Sequence, residues 1–527
     1  MERGSARGKA GEKATQSQPK AISKPFGRQA VAALGAGRWD LIRQSLAESL
    51  VLAAGGAVIG LGLAYAGVRG LLALAPKGLP VAVNVRMDAT VLAFTALAAM
   101  AAGVIFGVAP AWHISRLNRY ELLKEGGRAN TAGLRRQYLR ASLVVAEVAL
   151  ALVLLVGAGL FLRSLAALED VNPGFRADGV ITAGLSLPPA RYADAAKRIS
   201  FFRAVIGNLA AMPGVTSVAA AVPMPFSGSG GSASFDIEGR PSPPGDPGPH
   251  GAIGFVSPEY FGALKIPIQR GRVFTDQDRQ DTGKVALIDD MLAKEYWPNE
   301  NPIGHRIGRG SSSGFAIIVG IVGHVRQGDL AGEEVKGKYY FPLYQVPPPF
   351  GTFIVRAASD PSRLALGIRE AVRSVDAAQP VSEVRLLSGM VESSLAPRRF
   401  VVTVLGVFAG MALLMAVIGL YGVISYAVTQ RTQELGVRMA LGAQPGEILR
   451  LVLGQGMRLA GMGAAVGLVA SLVFSRLLRN QLFHVSAFDP LTFALMAGVL
   501  VAAALLASYI PARRAPRVDP MVALRYE

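Results

Sequence analysis

Five histidines and no cysteine limit the chemistry that this 527-residue chain can perform. Without cysteine there are no disulfides, no thiolate zinc ligands and no thiol nucleophile. No two histidines stand at the spacing of a zinc site. They are His113, His250, His305, His324 and His484. We therefore expect no metal site built on histidine or cysteine.

Two other patterns are typical of active sites but lack the required context. Residues 310–314 read Gly-Ser-Ser-Ser-Gly and match a nucleophile elbow, yet they lie in a Ser/Gly run without the strand–turn–helix that exposes the serine. A group of aspartates suggests a metal ion, but acidic residues around a loop are usually only solvated. These are Asp276, Asp278, Asp281, Asp289 and Asp290. We expect no catalytic, cofactor-binding or metal-binding residue.

Glu147 is the one ionisable residue inside the apolar run Ala141–Leu162. Charges within a membrane are costly and often functional. Glu147 lies only about two helical turns from the basic end of this run. Snorkelling toward the surface, or an ion pair with Arg140, is therefore the favoured interpretation.

Glu434 and Arg438 form the charged pair with the clearest potential for mechanism. They stand four residues apart, so a helix would place them on one face, where they can form an ion pair. Leu435 gives the same segment an apolar face, and Gly442 can end the helix in a left-handed conformation. The pattern predicts a short amphipathic helix, which either anchors the chain at the membrane surface or docks a cytoplasmic partner.

The elements around this pair are predicted to be membrane helices. Hydrophobic residues make up 51% of the chain and charged residues only 17%, which is less charge than a soluble chain carries. Six apolar runs reach the roughly 20 residues that a bilayer crossing needs. They are Ser49–Val68, Ala89–Trp112, Ala141–Leu162, Phe400–Val428, Leu453–Phe474 and Leu491–Ile510. We expect an α-helical membrane protein with six transmembrane helices.

The net charge of +18 is explained better by membrane topology than by nucleic-acid binding. Basic residues cluster after the second, fourth and sixth runs and in the N-terminal tail, and basic loops stay in the cytoplasm. Both termini are therefore predicted to be cytoplasmic, and residues 166–398 extracytoplasmic. Residues 1–30 lack the apolar core of a signal peptide, and we expect a disordered basic tail there.

The chain also contains an internal repeat. Residues 33–43 (ALGAGRWDLIR) are echoed by residues 440–450 (ALGAQPGEILR), and each copy leads into a Gly-rich apolar run, a second apolar run and a proline with a basic tail. A Gly-x-x-x-Gly motif occurs at the same place in both copies, and such spacing lets helix backbones approach closely. The expected packing residues are Gly56, Gly60, Gly463 and Gly467.

The long segment between the third and fourth runs combines strand and helix patterns. Strand–helix–strand units at 180–222 and 352–387 suggest one subdomain built from both ends of the segment. The middle, about residues 226–321, is then an inserted subdomain that is entered through a Gly/Ser run and a Pro/Gly linker. We therefore expect a large α+β extracytoplasmic domain.

Several segments, in order from about residue 31 to residue 527, carry a family resemblance. They include VSPEYF (256–261), RGRVF (270–274), YWPNENPIG (296–304), VGIVGHVR (319–326), ELGVRMALGA (434–443), PARRA (511–515) and DPMVALR (519–525). With these segments the chain resembles the MacB/FtsX-type permeases of ABC transporters, in the form that carries two permease units. The resemblance implies an outer domain of the MacB periplasmic-core type.

The resemblance also implies a domain arrangement. Residues 139–165 correspond to a transmembrane helix and stalk, residues 166–398 to the periplasmic-core domain, and residues 400–527 to an FtsX-like permease domain with three helices. Residues 31–128 match only the last two helices of a preceding unit. The first unit is therefore expected to lack its N-terminal part.

In function, the resemblance implies a permease subunit of the inner membrane that extrudes a substrate and takes its movement from a cytoplasmic ABC ATPase. The expected docking residues are Glu434, Arg438, Leu441, Gly442 and Ala443. The chain has no Gly-x-x-x-x-Gly-Lys-Ser/Thr loop, so ATP is expected to be used by a separate partner chain.

The lipid bilayer is a further expected partner, a second permease copy is an optional one, and nucleic acid is not expected. Two alternatives stay open at this point. One is a membrane-anchored sensor or binding protein without transport, which would need no ATPase. The other is an inactive remnant of a longer permease. The residues do not select a substrate.

Overall fold

The computed structural model describes residues 38–74, 88–115 and 130–514, except residues 229, 242, 244–247, 309–313, 329 and 331–335. The expected basic tail (1–30), most of the serine-rich segment 310–314 and residues 515–527 lie outside the described residues. The chain divides into two compact units, Met1–Ala73 with Val81–Gly133, and Leu74–Pro80 with Leu134–Glu527.

The described part of the first unit contains two helices, α1 (Arg38–Leu74) and α2 (Ala89–Ser115). They touch where α2 carries Gly103, because a Cβ atom at that position would lie 3.1 Å from side-chain atoms of Leu50 and of Ala53. A small residue is therefore needed at this crossing.

The predicted packing glycines of α1 lie away from that crossing. Among the described residues, no neighbouring atom lies within 4 Å of the position that a Cβ would take at Gly56 or Gly60. Within the described part of the first unit, these two glycines therefore lie outside the close contact between α1 and α2. The spacing permits such a contact, but a partner helix must also lie on that face.

Helix α3 (Asn130–Glu169), most of which belongs to the second unit, leads into the outer domain. The strands of this domain are β1 (Val180–Ser186), β2 (Val215–Val222), β3 (Ser232–Ser234), β4 (Asp236–Ile237), β5 (His250–Val256), β6 (Ile268–Gly271), β7 (Val285–Asp289), β8 (Arg306–Gly308), β9 (Phe315–Val322), β10 (Lys338–Pro342), β11 (Phe350–Ala357) and β12 (Ser382–Leu386). Its helices are α4 (Pro189–Tyr192), α5 (Ala195–Ala210), α6 (Tyr260–Leu264), α7 (Asp290–Tyr296), α8 (Ala365–Val375) and α9 (Leu387–Ser394).

The described strands form one mixed sheet in the order β12-β1-β11-β2-β5-β10-β7-β9-β8-β4, with β3 paired to β5 and β6 paired to β9. Strands from the two ends of the domain, β12, β1, β11 and β2, are antiparallel neighbours. In the middle, β5 and β10 are parallel, as are β7 and β9. Since β7 has a parallel neighbour, its burial along the whole strand is the normal pattern. The predicted α+β class of the outer domain is confirmed.

The two faces of the sheet bury different partners. On one face, α5 and α8 pack on the strands through residues such as Phe202 and Val372. A second cluster contains Phe261 and Tyr340 of the sheet region together with Leu168 near the end of α3. The end of α3 is thus part of the outer domain's hydrophobic core, so a displacement of α3 acts directly on that core.

After the outer domain, the described residues up to 514 form four more α-helices. They are α10 (Ala396–Gln430), α11 (Thr432–Ala440), α12 (Pro445–Leu478) and α13 (Pro490–Arg514), with a short 3₁₀ helix at Arg479–Gln481. Together with α3, these helices share one apolar cluster. This cluster is the membrane core of the second unit.

Five helices in the described part of the chain are long and apolar enough to cross a bilayer. They are Leu46–Ala73, Arg140–Glu169, Ala396–Gln430, Pro445–Gln481 and Pro490–Arg514. Within the expected second span, Ala89–Trp112, the described residues give a shorter apolar helix, Ala89–Val104. The α-helical membrane class is confirmed, with five such spans among the described residues against the six expected.

The second copy of the glycine motif lies in a tight helix contact. A Cβ at Gly463 would lie 2.6 Å from the Cβ of Val148, and one at Gly467 would lie 2.8 Å from the carbonyl oxygen of Ala149. Both neighbours belong to α3. The α12 backbone therefore lies very close to α3. At these two positions only a residue without a side chain fits between the helices.

Replacing Gly467 with alanine should destabilise the second unit, because the new methyl group would meet backbone atoms that cannot move aside cheaply. We expect a loss of about 1–3 kcal/mol, seen as a lower thermal midpoint in detergent. Gly461→Ala is the matched control: it lies in the same helix with nothing within 4 Å, so it gains the same helix propensity without the clash. Equal midpoints for the two variants would contradict the packing argument.

Candidate functional site

The predicted docking segment folds as α11, one residue after the end of α10. A nitrogen of the Arg438 guanidinium donates to Glu434 Oε1 over 2.6 Å. The two side chains are about half exposed, at 47% for Arg438 and 49% for Glu434. Exposed pairs of this kind contribute little to folding, so both groups are available to an approaching partner.

One face of α11 holds it against the membrane bundle. Leu435 is only 4% exposed and belongs to the same apolar cluster as Ile424 of α10 and Ile448 of α12. Gly442 has a φ of +95° and ends the segment in the left-handed region, where glycine carries no Cβ penalty. Pro445 then starts α12, a position that proline favours.

The tip of this segment exposes apolar surface. Leu441 is 82% exposed and Val437 is 40% exposed. Ala443, the last of the predicted docking residues, is half-buried. The candidate site therefore combines an ion pair with a protruding leucine on a helix whose other face is fixed. Such a surface suits a partner that supplies a hydrophobic pocket beside polar groups.

Glu147 does not pair with Arg140 as the sequence suggested. The Arg140 guanidinium lies over the ring of Tyr426, 4.2 Å from its centroid. Among the described residues, Glu147 Oε2 has no hydrogen-bond partner, and the carboxylate lies against Gly419 of α10. The ring of Tyr426 offers Arg140 a cation–π contact in place of the carboxylate.

The acidic group of the outer domain has structural partners. Asp278 accepts hydrogen bonds from two nitrogens of Arg272, at 2.8 and 2.9 Å. The fully buried Asp289 caps α7 at Leu292 N and contacts His324 Nδ1 at 2.6 Å. Within the described residues, no three potential ligands come together to hold a metal ion.

At the opposite end of the bundle, polar contacts join three parts of the chain, a set we name the outer junction. Glu169 at the end of α3 accepts from Arg399 of α10 at 2.8 Å. Ser164 Oγ accepts from the backbone N–H of Phe483 at 2.9 Å. Arg163 forms an ion pair with Asp489, just before α13. The outer junction thus connects α3 to α10 and to the loop between α12 and α13.

The outer junction was not visible in the sequence. Arg163 and Asp489 are 326 positions apart, and the sequence contains many other opposite charges that could have paired. Only the folded bundle brings these two helix ends together. A usable local signal was Asp489 followed by Pro490 and Thr492, which is typical of a helix N-terminus.

Two family models match the chain. The FtsX-like permease C-terminal model matches residues 30–119 and again 406–520, and the MacB-like periplasmic core domain model matches residues 141–384. The chain belongs to the MacB/FtsX-type permeases of ABC transporters. As a member of this family it is a membrane protein with an extracytoplasmic domain, and the double match of the permease model agrees with the internal repeat.

Curated relatives of this MacB/FtsX-type permease match about half of its length. The macrolide export ATP-binding/permease protein MacB of Wolinella succinogenes is 28% identical over 289 residues, which is 52% of this chain and 44% of the relative. The uncharacterized ABC transporter permease YknZ of Bacillus subtilis is 26% identical over 291 residues, which is 52% of this chain and 69% of the relative. The chain thus spans less than half of the MacB relative.

Among solved structures, the periplasmic region of MacB from Actinobacillus actinomycetemcomitans is similar to the permease. The sequence identity is 14% and the TM-score 0.30, with 43% of this chain and 97% of that chain covered.

Asp489 at the outer junction should make the stability of the permease depend on pH. Hydrogen bonds from Thr492 and Arg163 hold the pKa of Asp489 below its usual value. Because the folded-state pKa is lowered, this contribution is complete above the unfolded pKa of about 3.9 and is lost as the pH falls through the folded pKa. The thermal midpoint of Asp489→Asn should therefore lie below that of the wild type at pH 7, and the gap should shrink below about pH 5.

Asp194→Asn serves as the control for this measurement, since Asp194 caps α5 through Ala196 N and has no ion pair among the described residues. Asparagine caps a helix about as well as aspartate, so this variant should follow the wild type. A pH-independent gap for Asp489→Asn would rule out the proposed ionic contribution.

Proposed function

We propose that this chain is a permease subunit that carries movement from a cytoplasmic ABC ATPase, present on a separate chain, to the outer domain. The observation that carries the proposal is the exposed Glu434–Arg438 pair beside Leu441, fixed on a helix that follows α10 almost directly. An ATPase docked on α11 would therefore act at the end of a long transmembrane lever.

The lever is α10 itself. It contains 35 residues and so spans about 52 Å, from the outer domain to α11. At its outer end Leu395, the residue before the helix, is buried in a core cluster of the outer domain, and Arg399 pairs with Glu169 of α3. A shift at α11 is thus delivered to the outer domain and to α3 together.

Such coupling requires two states that the ATPase binds differently. A partner that held α11 equally well in both positions would move nothing, however tightly it bound. The contact surface fits this requirement. Burying Leu441 in the partner is favourable, and how much of this side chain is buried depends on the position of α11. ATP binding and hydrolysis in the partner would supply the alternation.

For direction, we propose extrusion from the cell, with both termini of the chain in the cytoplasm. The proposal draws on the relatives named for macrolide export and pyoverdine export and on the basic loops, which belong on the cytoplasmic side. The substrate class is left open, because the relatives are named for different molecules.

A second permease copy is the further partner we propose. The positions aligned with Glu434 and Arg438 in the first repeat are Gly27 and Val31, so the first copy lacks the ion pair. Where an ATPase presents two equivalent docking pockets, a second copy of this chain would fill the second one.

Removing the ion pair and the leucine should release the ATPase. We expect Glu434→Ala/Arg438→Ala, and separately Leu441→Asp, to lower co-purified ATP hydrolysis at least tenfold without reducing the amount of folded permease. The assay is purification from native membranes in mild detergent, with ATPase activity measured per permease and the partner identified by its Walker A motif.

Glu370→Ala/Arg373→Ala is the matched control, since it removes an exposed ion pair from α8 of the outer domain. This control should retain the ATPase. If intact, abundant wild-type permease brings no ATPase, the transport proposal is wrong and a sensor without transport becomes the better account. If the control loses the ATPase equally, α11 is not the docking site.

A further inference from the structure

The last three turns of α13 expose a surface whose chemistry changes along the helix, on the side away from the bundle. One side of the helix is buried, through residues such as Ala504, Ala507, Pro511 and Ala512. The opposite side carries three exposed pairs in order along the helix: Leu505 and Leu506, Tyr509 and Ile510, then Arg513 and Arg514. The exposed stripe therefore passes from aliphatic to aromatic to cationic within about 14 Å.

A shallow pocket of about 260 Å³ lies at the charged end of this stripe, lined by Tyr509, Ile510, Arg513 and Arg514. Arg514 Nη1 is 3.4 Å from the hydroxyl oxygen of Tyr421 on α10, which directs that guanidinium along the helix surface. In the part of the chain that the structure describes, neither arginine has a carboxylate partner. Two positive charges thus lie side by side with no carboxylate partner among the described residues.

The chemistry of these side chains fits a phosphate at the membrane surface. A guanidinium donates two parallel hydrogen bonds to phosphate oxygens, and it is less strongly hydrated than an ammonium group. Tyrosine is enriched at the level of the lipid headgroups. Ile510 and Leu506 continue the surface toward the hydrocarbon, where acyl chains pack.

We propose that this pocket is a binding site for an anionic phospholipid, with its phosphate on Arg513 and Arg514, its glycerol region beside Tyr509, and its acyl chains along Ile510 and Leu506. Basic pockets at the cytoplasmic ends of transmembrane helices are suited to such lipids. The assignment does not depend on transport, since it needs only that α13 crosses a bilayer.

A lipid explains the site better than a free anion. Tyr509 and Ile510 are 45% and 51% exposed, and a free phosphate would leave this apolar surface in contact with water. Another basic–aromatic contact of the same kind occurs in this bundle: Arg140 of α3 lies over Tyr426 of α10, and such residues are typical of the membrane interface. Arg140 is occupied by that ring, whereas Arg513 is available for a headgroup.

The test is lipid binding by the purified full-length chain in mild detergent, followed by native mass spectrometry with phosphatidylglycerol or phosphatidylcholine added. The wild type should bind phosphatidylglycerol at least tenfold more tightly than phosphatidylcholine. Arg513→Gln/Arg514→Gln should weaken this binding about 30-fold, given the usual contribution of a basic residue near an anionic surface. The affinity of Arg513→Lys/Arg514→Lys for phosphatidylglycerol should lie between those of the wild type and the glutamine variant, because lysine keeps the charge but lacks the planar guanidinium.

Arg431→Gln/Arg450→Gln is the control, since it removes the same charge from other basic positions outside the outer domain and should bind phosphatidylglycerol like the wild type. Equal weakening in this control, or unchanged binding in Arg513→Gln/Arg514→Gln, would overturn the site. Displacement of phosphatidylglycerol by millimolar inorganic phosphate would show a free-anion site instead. ATPase co-purification is a separate readout, so failure here leaves the transport proposal standing.

Discussion

The close contact of α12 with α3 constrains everything else in the second unit. At Gly463 and Gly467 the α12 backbone lies directly on the Val148–Ala149 stretch of α3. Surfaces that interlock at this density cannot slide past each other without first separating, which would expose tightly packed atoms. The two helices therefore behave as one rigid body, and movement within the bundle must use contacts that are easier to break.

The outer junction has that weaker character. The Glu169–Arg399 pair is about half exposed on both sides, and pairs of this kind contribute between zero and about 1 kcal/mol. They fix the geometry of the resting state but do not oppose a strong external force. The apolar contact of α12 with α3 is tightly packed, whereas the polar contacts of the outer junction are easy to break. The outer ends of α3 and α10 can therefore change their angle while the membrane core stays packed. That combination fits the mechanical coupling that we propose.

Sequence reasoning predicted the features that depend on neighbours in the chain. The helical position of Glu434 and Arg438, the glycine end at Gly442 and the α+β character of the outer domain follow from local spacing and periodicity. The Gly-x-x-x-Gly motif shows the limit of such reasoning. Among the described residues the motif meets a partner helix at Gly467 and no neighbouring atom within 4 Å at Gly56. The spacing is the same at both places, because a motif specifies one surface and not the neighbour. The order of the strands and the Arg163–Asp489 pair could not be predicted for the same reason.

The docking segment and the end of α13 each expose apolar and charged side chains next to one another. Leu441 protrudes far more than a leucine needs to for folding, and the adjacent ion pair adds little stability in water. Neither feature stabilises the free chain, and both fit the docking contact that we propose. Each of these surfaces lies on a helix whose other face is buried in the bundle, α11 through Leu435 and α13 through Pro511. A molecule bound to either surface would therefore act on the packed bundle and not on a mobile segment.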